Sequence, residues 1–312
     1  MIVLHYRASA GFRAQVAEVF AGLPVTIVDE SDAGGVAVAM RDAEILLHVL
    51  EPVTTAVIAA APRLRLIQKL GVGVNTIDLD AARARGIAVC NMPGSNAAAV
   101  AEMALGLLLA VLRRTVDLDA ATRAGRGWSL DEGLLDSVGE IGGRTIGLVG
   151  MGASARRLAP VLAALGATVV YTATTPKPEL PFAFVALPVL LAVAEVVSLH
   201  LPLTPATRHL IDYAALARMK RGAVLINTAR GGLVDEAALV AALRDGRLRG
   251  AGLDVFASEP AVADQPLFAL PGVVVAPHVA WLTPETLRRS LLIARDNAGR
   301  LAAGNPLLHR VV

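Results

Sequence analysis

Short runs of Val, Ile and Leu alternate with Ala-, Leu- and Arg-rich segments of helical period along nearly the whole chain. Such alternation predicts βαβ units, that is, parallel sheets with helices packed on them. The predicted strands are Met1–Leu4, Val25–Val28, Ile45–His48, Leu66–Lys69, Ile87–Cys90, Thr145–Val149, Thr168–Tyr171, Val196–Leu199, Ala223–Asn227, Gly250–Asp254 and Val273–Ala276. The predicted helices include Phe12–Gly22, Ala97–Arg114 and Pro284–Ala303. A breaker cluster over residues 91–96 divides the strands into two series, so we predict two α/β units.

The composition is that of a folded protein large enough for two domains. The 312 residues are 55% hydrophobic, and 29 basic and 27 acidic residues leave a net charge of +2. No Lys/Arg run with interleaved aromatics occurs, which argues against a nucleic-acid partner. The single cysteine, Cys90, excludes an intrachain disulfide and a multi-cysteine metal site, and we expect no metal. The N-terminus lacks a secretory signal and the most apolar stretch, 97–112, is shorter than a bilayer requires, so we expect a cytoplasmic protein without a membrane partner.

A glycine-rich turn follows the first strand of the second series. The stretch reads GLVGMGASARRLA, and a helical pattern begins directly after Gly152. Gly150 permits a tight turn, Gly152 lets the backbone approach a pyrophosphate, and Ala155 allows close helix–strand packing. A lone motif of this kind is weak, but its place between a strand and a helix favours a dinucleotide site over an ordinary turn. We therefore expect Ala153 and Ser154 to contact the dinucleotide.

The end of the next strand bears on the choice between NAD and NADP. An acidic residue commonly holds the adenosine ribose there, but residues 172–177 read TATTPK, with no Asp or Glu. Hydroxyls and a lysine accept a 2′-phosphate that a carboxylate would repel. We therefore favour NADP, with contacts from Thr172, Thr174, Thr175 and Lys177. NAD stays open because no arginine stands at this strand end.

Three charged or titratable residues follow neighbouring strands of the second series. Because ligands of doubly wound sheets bind beyond the carboxyl ends of the strands, these residues are expected to converge. Hydride transfer to a keto acid needs a bidentate cation for the carboxylate, a proton donor near neutral pH, and a carboxylate that orients the donor. Arg230, His278 and Glu259 supply these groups in turn. Each residue alone is more often an ordinary surface or loop residue.

Two further features lie at predicted strand ends. His200 follows the run Val196–Leu199 and is a candidate contact on the cofactor side. In the first series, Gly71, Val72 and Gly73 form a turn whose backbone N–H groups can cradle a carboxylate, with a plain strand-to-helix turn as the alternative.

Together, the motifs resemble the D-isomer-specific 2-hydroxyacid dehydrogenase family. The matching stretches follow the family's order from about Leu66 onwards and read LGVGVNTIDLDAARARGIAVCNMPG, NAAAVAEMALGLLLAVLRR, TIGLVGMGASA, LHLPLTPATRHLI, GAVLINTARGGLVDEAALVAAL, GAGLDVFASEP and APHVAW. The resemblance implies an oxidoreductase that interconverts a small 2-keto acid and its D-2-hydroxy acid with NAD(P)H. The stretch YTATTPKPE is similar to that of NADPH-using glyoxylate/hydroxypyruvate reductases, which implies such a substrate.

The family's architecture implies two doubly wound parallel-sheet domains with a cleft between them. A flavodoxin-like substrate-binding domain would consist of residues 1–96 and 282–312, and a Rossmann-type dinucleotide-binding domain of residues 97–281. Family members are commonly homodimers joined through the cofactor domain and the long helix that enters it, so a homodimer is expected.

The resemblance also implies roles for individual residues. Arg230 would bind the substrate carboxylate, and Glu259 would pair with His278. In the same way, Asp254 would contact the nicotinamide carboxamide, and Thr228, in the NTARGG stretch, would contact the cofactor.

The first series and the segment after His278 would complete the substrate site. The backbone of Val72 and Gly73 would bind the substrate carboxylate. Trp281 would wall the pocket, with simple packing as the alternative.

Some positions depart from the family's pattern. The glycine-rich turn ends in Ala153, Ser154 and Ala155, where the family usually has a third glycine and bulky residues, and Ala173 stands where NADPH-using reductases usually place an arginine. A second function therefore stays open, a cofactor-sensing, corepressor-like binding protein with little turnover, since such proteins keep the same three residues. Because little sequence follows the last predicted helix, we do not expect the long form of phosphoglycerate dehydrogenase.

Overall fold

The computed structural model describes all residues from 1 to 312, and their contacts separate two compact units. The first unit consists of residues 1–96 and 281–312, and the second of residues 97–280. The contacts thus place the second boundary one residue earlier than expected. The Trp281 ring packs 6.4 Å from the ring of Tyr6 and against the apolar core of the first unit, which is why it belongs to that unit.

The first unit is built on a five-stranded parallel sheet in the order β2-β1-β3-β4-β5. Its strands are β1 (Ile2–His5), β2 (Val25–Val28), β3 (Ile45–His48), β4 (Leu66–Lys69) and β5 (Ala88–Cys90). Its helices are α1 (Ala10–Val19), α2 (Ala33–Met40), α3 (Thr55–Ala59), α4 (Leu79–Ala84) and, from the end of the chain, α12 (Pro284–Ala303). The order is that of flavodoxin-like doubly wound sheets.

Apolar side chains project from both faces of this sheet, because successive residues of a strand point to opposite sides. Leu4, Leu47 and Leu66 pack with α1 and α12 on one face. Val3 and Leu46 pack with α2, α3 and α4 on the other. Both faces are therefore covered, as parallel sheets require.

The second unit contains a seven-stranded parallel sheet in the order β12-β11-β10-β9-β6-β7-β8. Its strands are β6 (Thr145–Val149), β7 (Thr168–Thr172), β8 (Ala183–Phe184), β9 (Val196–Leu199), β10 (Ala223–Asn227), β11 (Leu248–Leu253) and β12 (Val273–Val275). Its helices are α5 (Ala97–Arg113), α6 (Thr115–Arg123), α7 (Glu132–Asp136), α8 (Ala153–Ala164), α9 (Leu187–Val193), α10 (Tyr213–Arg218) and α11 (Glu236–Arg244).

Helices cover both faces of the second sheet as well. The long helix α5 and helix α8 pack on one face, and α9, α10 and α11 pack on the other. The strand order changes direction between β6 and β9, which are direct neighbours in the sheet. In open α/β sheets this switch point is where ligands bind, beyond the carboxyl ends of the strands.

The two parallel α/β sheets predicted from the hydrophobic pattern are confirmed. Several bounds differ by one to three residues. The helix predicted over Phe12–Gly22 spans Ala10–Val19, because the Ser9 hydroxyl caps its start and Gly22 lies beyond its end with a φ of 83°. Strand β8 was not predicted, and no bounds were predicted for helices α2, α3, α4, α6, α7, α9, α10 and α11. No helix of the chain combines the length and the apolar character needed to span a membrane.

Candidate active site

The carboxyl edge of the second sheet gathers the charged residues singled out in the sequence. Arg230 follows β10, Asp254 and Glu259 follow β11, and His278 follows β12. These three strands are consecutive neighbours in a parallel sheet, so their carboxyl ends share one edge. The sequence order of the strands therefore brings distant residues together.

Glu259 and His278 form a direct pair. Nδ1 of His278 lies 2.6 Å from Oε2 of Glu259, and about a quarter of the histidine side chain is exposed. The other carboxylate oxygen, Oε1, accepts a hydrogen bond from the backbone N–H of Phe256 at 2.9 Å. Burial raises the pKa of Glu259, but the hydrogen bonds from His278 and Phe256 and the nearby positive charges outweigh it, so the pKa lies below its usual value. Glu259 is therefore a fixed carboxylate that orients the imidazole.

The backbone of His278 is held in the left-handed region, with a φ of 57°. A non-glycine residue in this conformation costs free energy and persists only where its surroundings fix it. Asp254 does so, because its backbone carbonyl accepts from His278 N and its carboxylate oxygens accept from Val279 N and Ala280 N, each at 2.9 Å. The buried Asp254 thus positions the histidine loop, and its contact with a nicotinamide stays a prediction.

Arg230 lies in an extended conformation just before a short 3₁₀ turn, Gly231–Leu233. Its backbone carbonyl accepts from Asn227 Nδ2 at 2.9 Å, and its Nη1 donates to Ala229 O at 2.6 Å. Burial lowers the pKa of the guanidinium, and the Glu259 carboxylate partly offsets this. The charges of Arg230 and Glu259 therefore influence each other, so Arg230 is electrostatically coupled to the Glu259–His278 pair.

The glycine-rich turn lies on the same edge, directly after β6. Gly150 has a φ of 95°, and a side chain there would collide with the carbonyl group of His200. Its N–H donates to Thr172 O at 2.9 Å, so the turn is fastened to the end of β7. Gly152, by contrast, faces open space, since an added Cβ would meet nothing within 4 Å. Gly150 is required by the fold, whereas Gly152 leaves room for a ligand.

His200 is a structural part of this turn rather than an isolated strand-end residue. Its ring connects the Ser154 hydroxyl, 3.1 Å from Nδ1, with the Ser198 hydroxyl, 2.9 Å from Nε2. Burial lowers the pKa of His200 to about 4, so the ring is neutral near pH 7. The neutral ring can donate to one hydroxyl and accept from the other, which fixes Ser154 in the first turn of α8.

Two observations test whether a dinucleotide fits here. Gly152, the residue directly before helix α8, provides no side-chain cap, so the backbone N–H groups of Ala153 and its neighbours are available to a phosphate. The hydroxyl Oγ1 of Thr228, directly after β10, is buried and has no hydrogen-bond partner. Both features fit an anionic, hydrogen-bonding ligand at this edge. No group of three or more His, Cys, Asp or Glu side chains is arranged to hold a metal ion.

The segment after β7 carries the residues predicted to choose between NAD and NADP. Thr172 ends β7, and Thr174 and Thr175 are exposed. Nζ of Lys177 donates to Thr175 Oγ1 at 3.1 Å, and its backbone N–H donates to the Tyr171 hydroxyl at 2.6 Å. The hydroxyls and the lysine thus occupy one short loop beside the glycine turn.

The predicted carboxylate-binding turn and Trp281 belong to the first unit. The turn is fastened by two residues that follow β5: Asn91 Nδ2 donates to Val72 O, and Met92 N donates to Gly71 O, each at 2.9 Å. In the sequence, Asn91 stands out only as part of the breaker cluster over residues 91–96. A polar residue directly after a buried strand was the signal for its role. The contacts of Val72, Gly73 and Trp281 with a substrate stay predictions.

Comparisons with known proteins agree with this geometry. Residues 105–280 match the family model described as D-isomer specific 2-hydroxyacid dehydrogenase, NAD binding domain. The chain is 43% identical over 277 residues to a D-3-phosphoglycerate dehydrogenase of Mycobacterium leprae (strain TN), which covers 87% of this chain and 50% of the relative, so the chain spans about half of that relative's length.

Other similar proteins match over most of their length. A glyoxylate reductase of Aeropyrum pernix is 39% identical over 272 residues, which cover 85% of this chain and 81% of the relative. A crystal structure of a Thermus thermophilus protein superposes with a TM-score of 0.90 and 39% identity, covering 100% of both chains.

Proposed function

The chain belongs to the D-isomer specific 2-hydroxyacid dehydrogenase family, and from this premise we propose that it interconverts a small 2-keto acid and its D-2-hydroxy acid with a nicotinamide cofactor. The observation that carries the proposal is the Glu259–His278 pair, 2.6 Å long, on the sheet edge that also holds Arg230 and the glycine-rich turn. These groups match the three needs of carbonyl reduction: a proton donor, an orienting carboxylate and a cation for the substrate.

In the proposed reaction, Arg230 binds the substrate carboxylate through its planar guanidinium and holds the keto group in place. Glu259 accepts from Nδ1 of His278 and stabilises the protonated ring. His278 then donates the proton on its other nitrogen, Nε2, to the carbonyl oxygen, and takes it back in the reverse direction. The substrate contacts expected of Val72, Gly73 and Trp281 stay predictions.

The residues below would hold a dihydronicotinamide cofactor, which would supply the hydride for carbonyl reduction. The residues proposed to hold the cofactor are the turn Gly150–Ser154, His200 through Ser154, and Thr228 with its unpartnered hydroxyl. Asp254 is proposed to face the carboxamide. We favour NADP over NAD, because the segment 172–177 offers three threonine hydroxyls and a lysine and no carboxylate.

The proposed substrates are glyoxylate and hydroxypyruvate. The name of the Aeropyrum relative supports the first, and the YTATTPKPE stretch supports both. The name of the mycobacterial relative makes D-3-phosphoglycerate a further substrate to be tested. Substrate identity depends on pocket size, and one methylene changes selectivity by only about 1–3 kcal/mol.

We also propose that the protein is a homodimer joined through the second unit. Helices α6 and α7 contain no buried residue, and Trp128, between them, is 91% exposed. A large exposed aromatic side chain of this kind fits a protein interface. Sedimentation of wild type and of Trp128→Ser tests this, with a dimer expected for the first and weakened association for the second. The cytoplasmic location expected from the sequence stays a prediction.

Initial rates test the proposed activity. The assay compares glyoxylate, hydroxypyruvate, pyruvate and a branched keto acid with NADPH and with NADH, and D-3-phosphoglycerate with the oxidised cofactors. We expect turnover of glyoxylate or hydroxypyruvate, faster with NADPH. Tight cofactor binding without turnover of any compound would contradict the proposal and favour the sensing protein considered above.

A further inference from the structure

No arginine follows β7 within residues 172–177, but an arginine of helix α8 reaches the segment after this strand. Arg156 lies in the first turns of this helix, shortly after the glycine-rich turn. Its Nη2 lies 2.7 Å from Oε1 of Glu179, in the segment that follows β7, and its Nε donates to Met151 O at 3.3 Å. The guanidinium therefore extends from the glycine turn to the loop that carries the threonines and the lysine.

Several contacts place this loop beside the glycine turn. The hydrogen bond from Gly150 N to Thr172 O joins the turn to the end of β7. The bond from Lys177 N to the Tyr171 hydroxyl folds the loop back onto its own strand. In a Rossmann-type sheet, the adenosine ribose lies between these two segments. Arg156 and Lys177 are thus cations on the two segments that flank the expected position of the ribose.

Glu179 is the resident counter-ion of these cations. Its pKa is lowered by its own backbone hydrogen bond, by the hydrogen bond from Arg156, and by the charges of Arg156 and Lys177. The side chains of Arg156 and Glu179 are 39% and 55% exposed, and an ion pair that exposed contributes little to stability. Exchanging Glu179 for another anion therefore costs little, and a phosphate dianion offers the guanidinium a stronger, bidentate partner.

We propose that Arg156 binds the 2′-phosphate of NADP, exchanging Glu179 for the phosphate, with Lys177 as the second cation. This inference rests on the proposed nicotinamide site and names the residues that set its specificity. A carboxylate that held the ribose 2′-hydroxyl would instead favour NAD, and Glu179 is the carboxylate that the segment after β7 offers for that role. A ribose held by Glu179 would therefore favour NAD, whereas a 2′-phosphate bound by Arg156 favours NADP.

A simple surface ion pair is the competing explanation. Arg123 and Asp119 on α6 show such a pair, 2.8 Å long and confined to one helix. The pair of Arg156 and Glu179 differs because it joins two segments that flank the ribose position. Arg157, the next residue of α8, is also exposed and forms no ion pair, so it is a matched control for removing one positive charge from the same helix.

Calorimetric binding of two nucleotides to the full chain, without substrate, tests the inference. Adenosine 2′,5′-bisphosphate and AMP differ only in the 2′-phosphate. The variant Arg156→Gln loses one hydrogen-bonded charge pair with that phosphate. It should therefore bind the bisphosphate about tenfold or more weakly than wild type, and bind AMP as wild type does. Arg157→Gln should bind both nucleotides like wild type, and Glu179→Gln should bind the bisphosphate more tightly because the competing carboxylate is gone.

Other outcomes overturn the inference in distinguishable ways. Equal, small losses in Arg156→Gln and Arg157→Gln would reduce Arg156 to a general surface charge. Weaker AMP binding by Glu179→Gln would assign Glu179 to the 2′-hydroxyl and the site to NAD. If wild type bound neither nucleotide, the proposed cofactor site itself would fail. Thermal denaturation of each variant verifies that it is folded.

Discussion

The carboxyl edges of the two parallel sheets both carry histidine and a basic residue, but in opposite environments. In the first unit, His5, His48 and Lys69 lie in register on three neighbouring strands. His48 is only 2% exposed, its Nε2 lies 2.7 Å from Glu51 O, and burial, with the charges of Lys69 and His5, lowers its pKa to about 3. In the second unit, His278 is partly exposed and paired with a carboxylate.

The comparison shows that a histidine at the end of a parallel strand is not by itself a catalytic group. His48 is held neutral by its surroundings and bonded to a backbone carbonyl, so it cannot deliver a proton near pH 7. His278 is paired with the carboxylate of Glu259 and is exposed enough to meet a substrate. The carboxylate partner and the exposure of His278, rather than its position at a strand end, therefore indicate that proton transfer takes place at the second edge.

The largest expected effect is the loss of the proton donor on the second edge. His278→Gln should lower kcat by about 100- to 10,000-fold, the usual contribution of general acid–base catalysis. The matched variant on the first edge, His48→Gln, should retain most of the kcat of wild type. Steady-state rates on glyoxylate, with folding verified by circular dichroism, measure both. Equal losses in the two variants would remove the distinction between the edges.

The cation of the second edge should give the next largest effect. Arg230→Lys keeps the charge but loses the planar fork, so kcat/KM should fall by about 10- to 100-fold, as expected for a charged hydrogen bond. Arg244→Lys, at the exposed end of α11, is the control and should leave kcat/KM unchanged. An Arg230→Lys enzyme with the kinetics of wild type would contradict the proposed carboxylate contact.

The edges themselves could be predicted from the sequence, because the hydrophobic pattern locates strand ends within one or two residues. Strands β2, β3, β4, β6, β9 and β10 have the predicted bounds. Parallel order then places Arg230, Glu259 and His278 on one edge, since their strands are neighbours. For the same reason, the glycine turn could be located without coordinates.

Contacts made by side chains from different elements could not be predicted in this way. The pair of Arg156 and Glu179 joins a helix to a loop, and neither residue stands at a strand end. The capping of the histidine loop by Asp254 depends on the left-handed backbone of His278, which nothing in the residue types requires. Strand β8 was missed because it has only two residues, and the apolar stretch around it continues into helix α9.

At the second edge, substitutions of Gly150 and Gly152 should affect different properties, the first the stability of the fold and the second the binding of the cofactor. Gly150→Ala strains a φ of 95° and meets the His200 carbonyl group, so it should lower the free energy of unfolding by about 1–3 kcal/mol or more. Gly152→Ala meets nothing within 4 Å and should unfold like wild type, but with weaker binding of the cofactor. Urea denaturation and cofactor titration measure the two effects. Destabilisation by both variants would make the whole turn structural.

The smallest expected effect concerns the buried histidine at each edge, His48 in the first unit and His200 in the second. The pKa of His48 is lowered to about 3 and that of His200 to about 4, so the unfolded chain binds a proton more readily than the folded chain below the ordinary histidine pKa of about 6.5. Their contribution to stability is therefore fully present above about pH 6.5. It is lost as the pH falls towards about 4 for His200 and about 3 for His48, at no more than about 1.4 kcal/mol per pH unit and group.

Urea midpoints measured between about pH 7 and 5 follow this loss, because the lowered pKa of Glu259 keeps that carboxylate charged across the window. Burial raises the pKa of Asp254, but Asp254 is present in wild type and in every variant, so its contribution cancels in the comparison. Wild type should lose stability across the window, and His48→Gln and His200→Gln should each show a shallower slope, since neither replacement can take up the proton. Parallel slopes for wild type and the two buried-site variants would show that burial does not hold these histidines neutral, and the contrast between the two edges would then lose its physical basis.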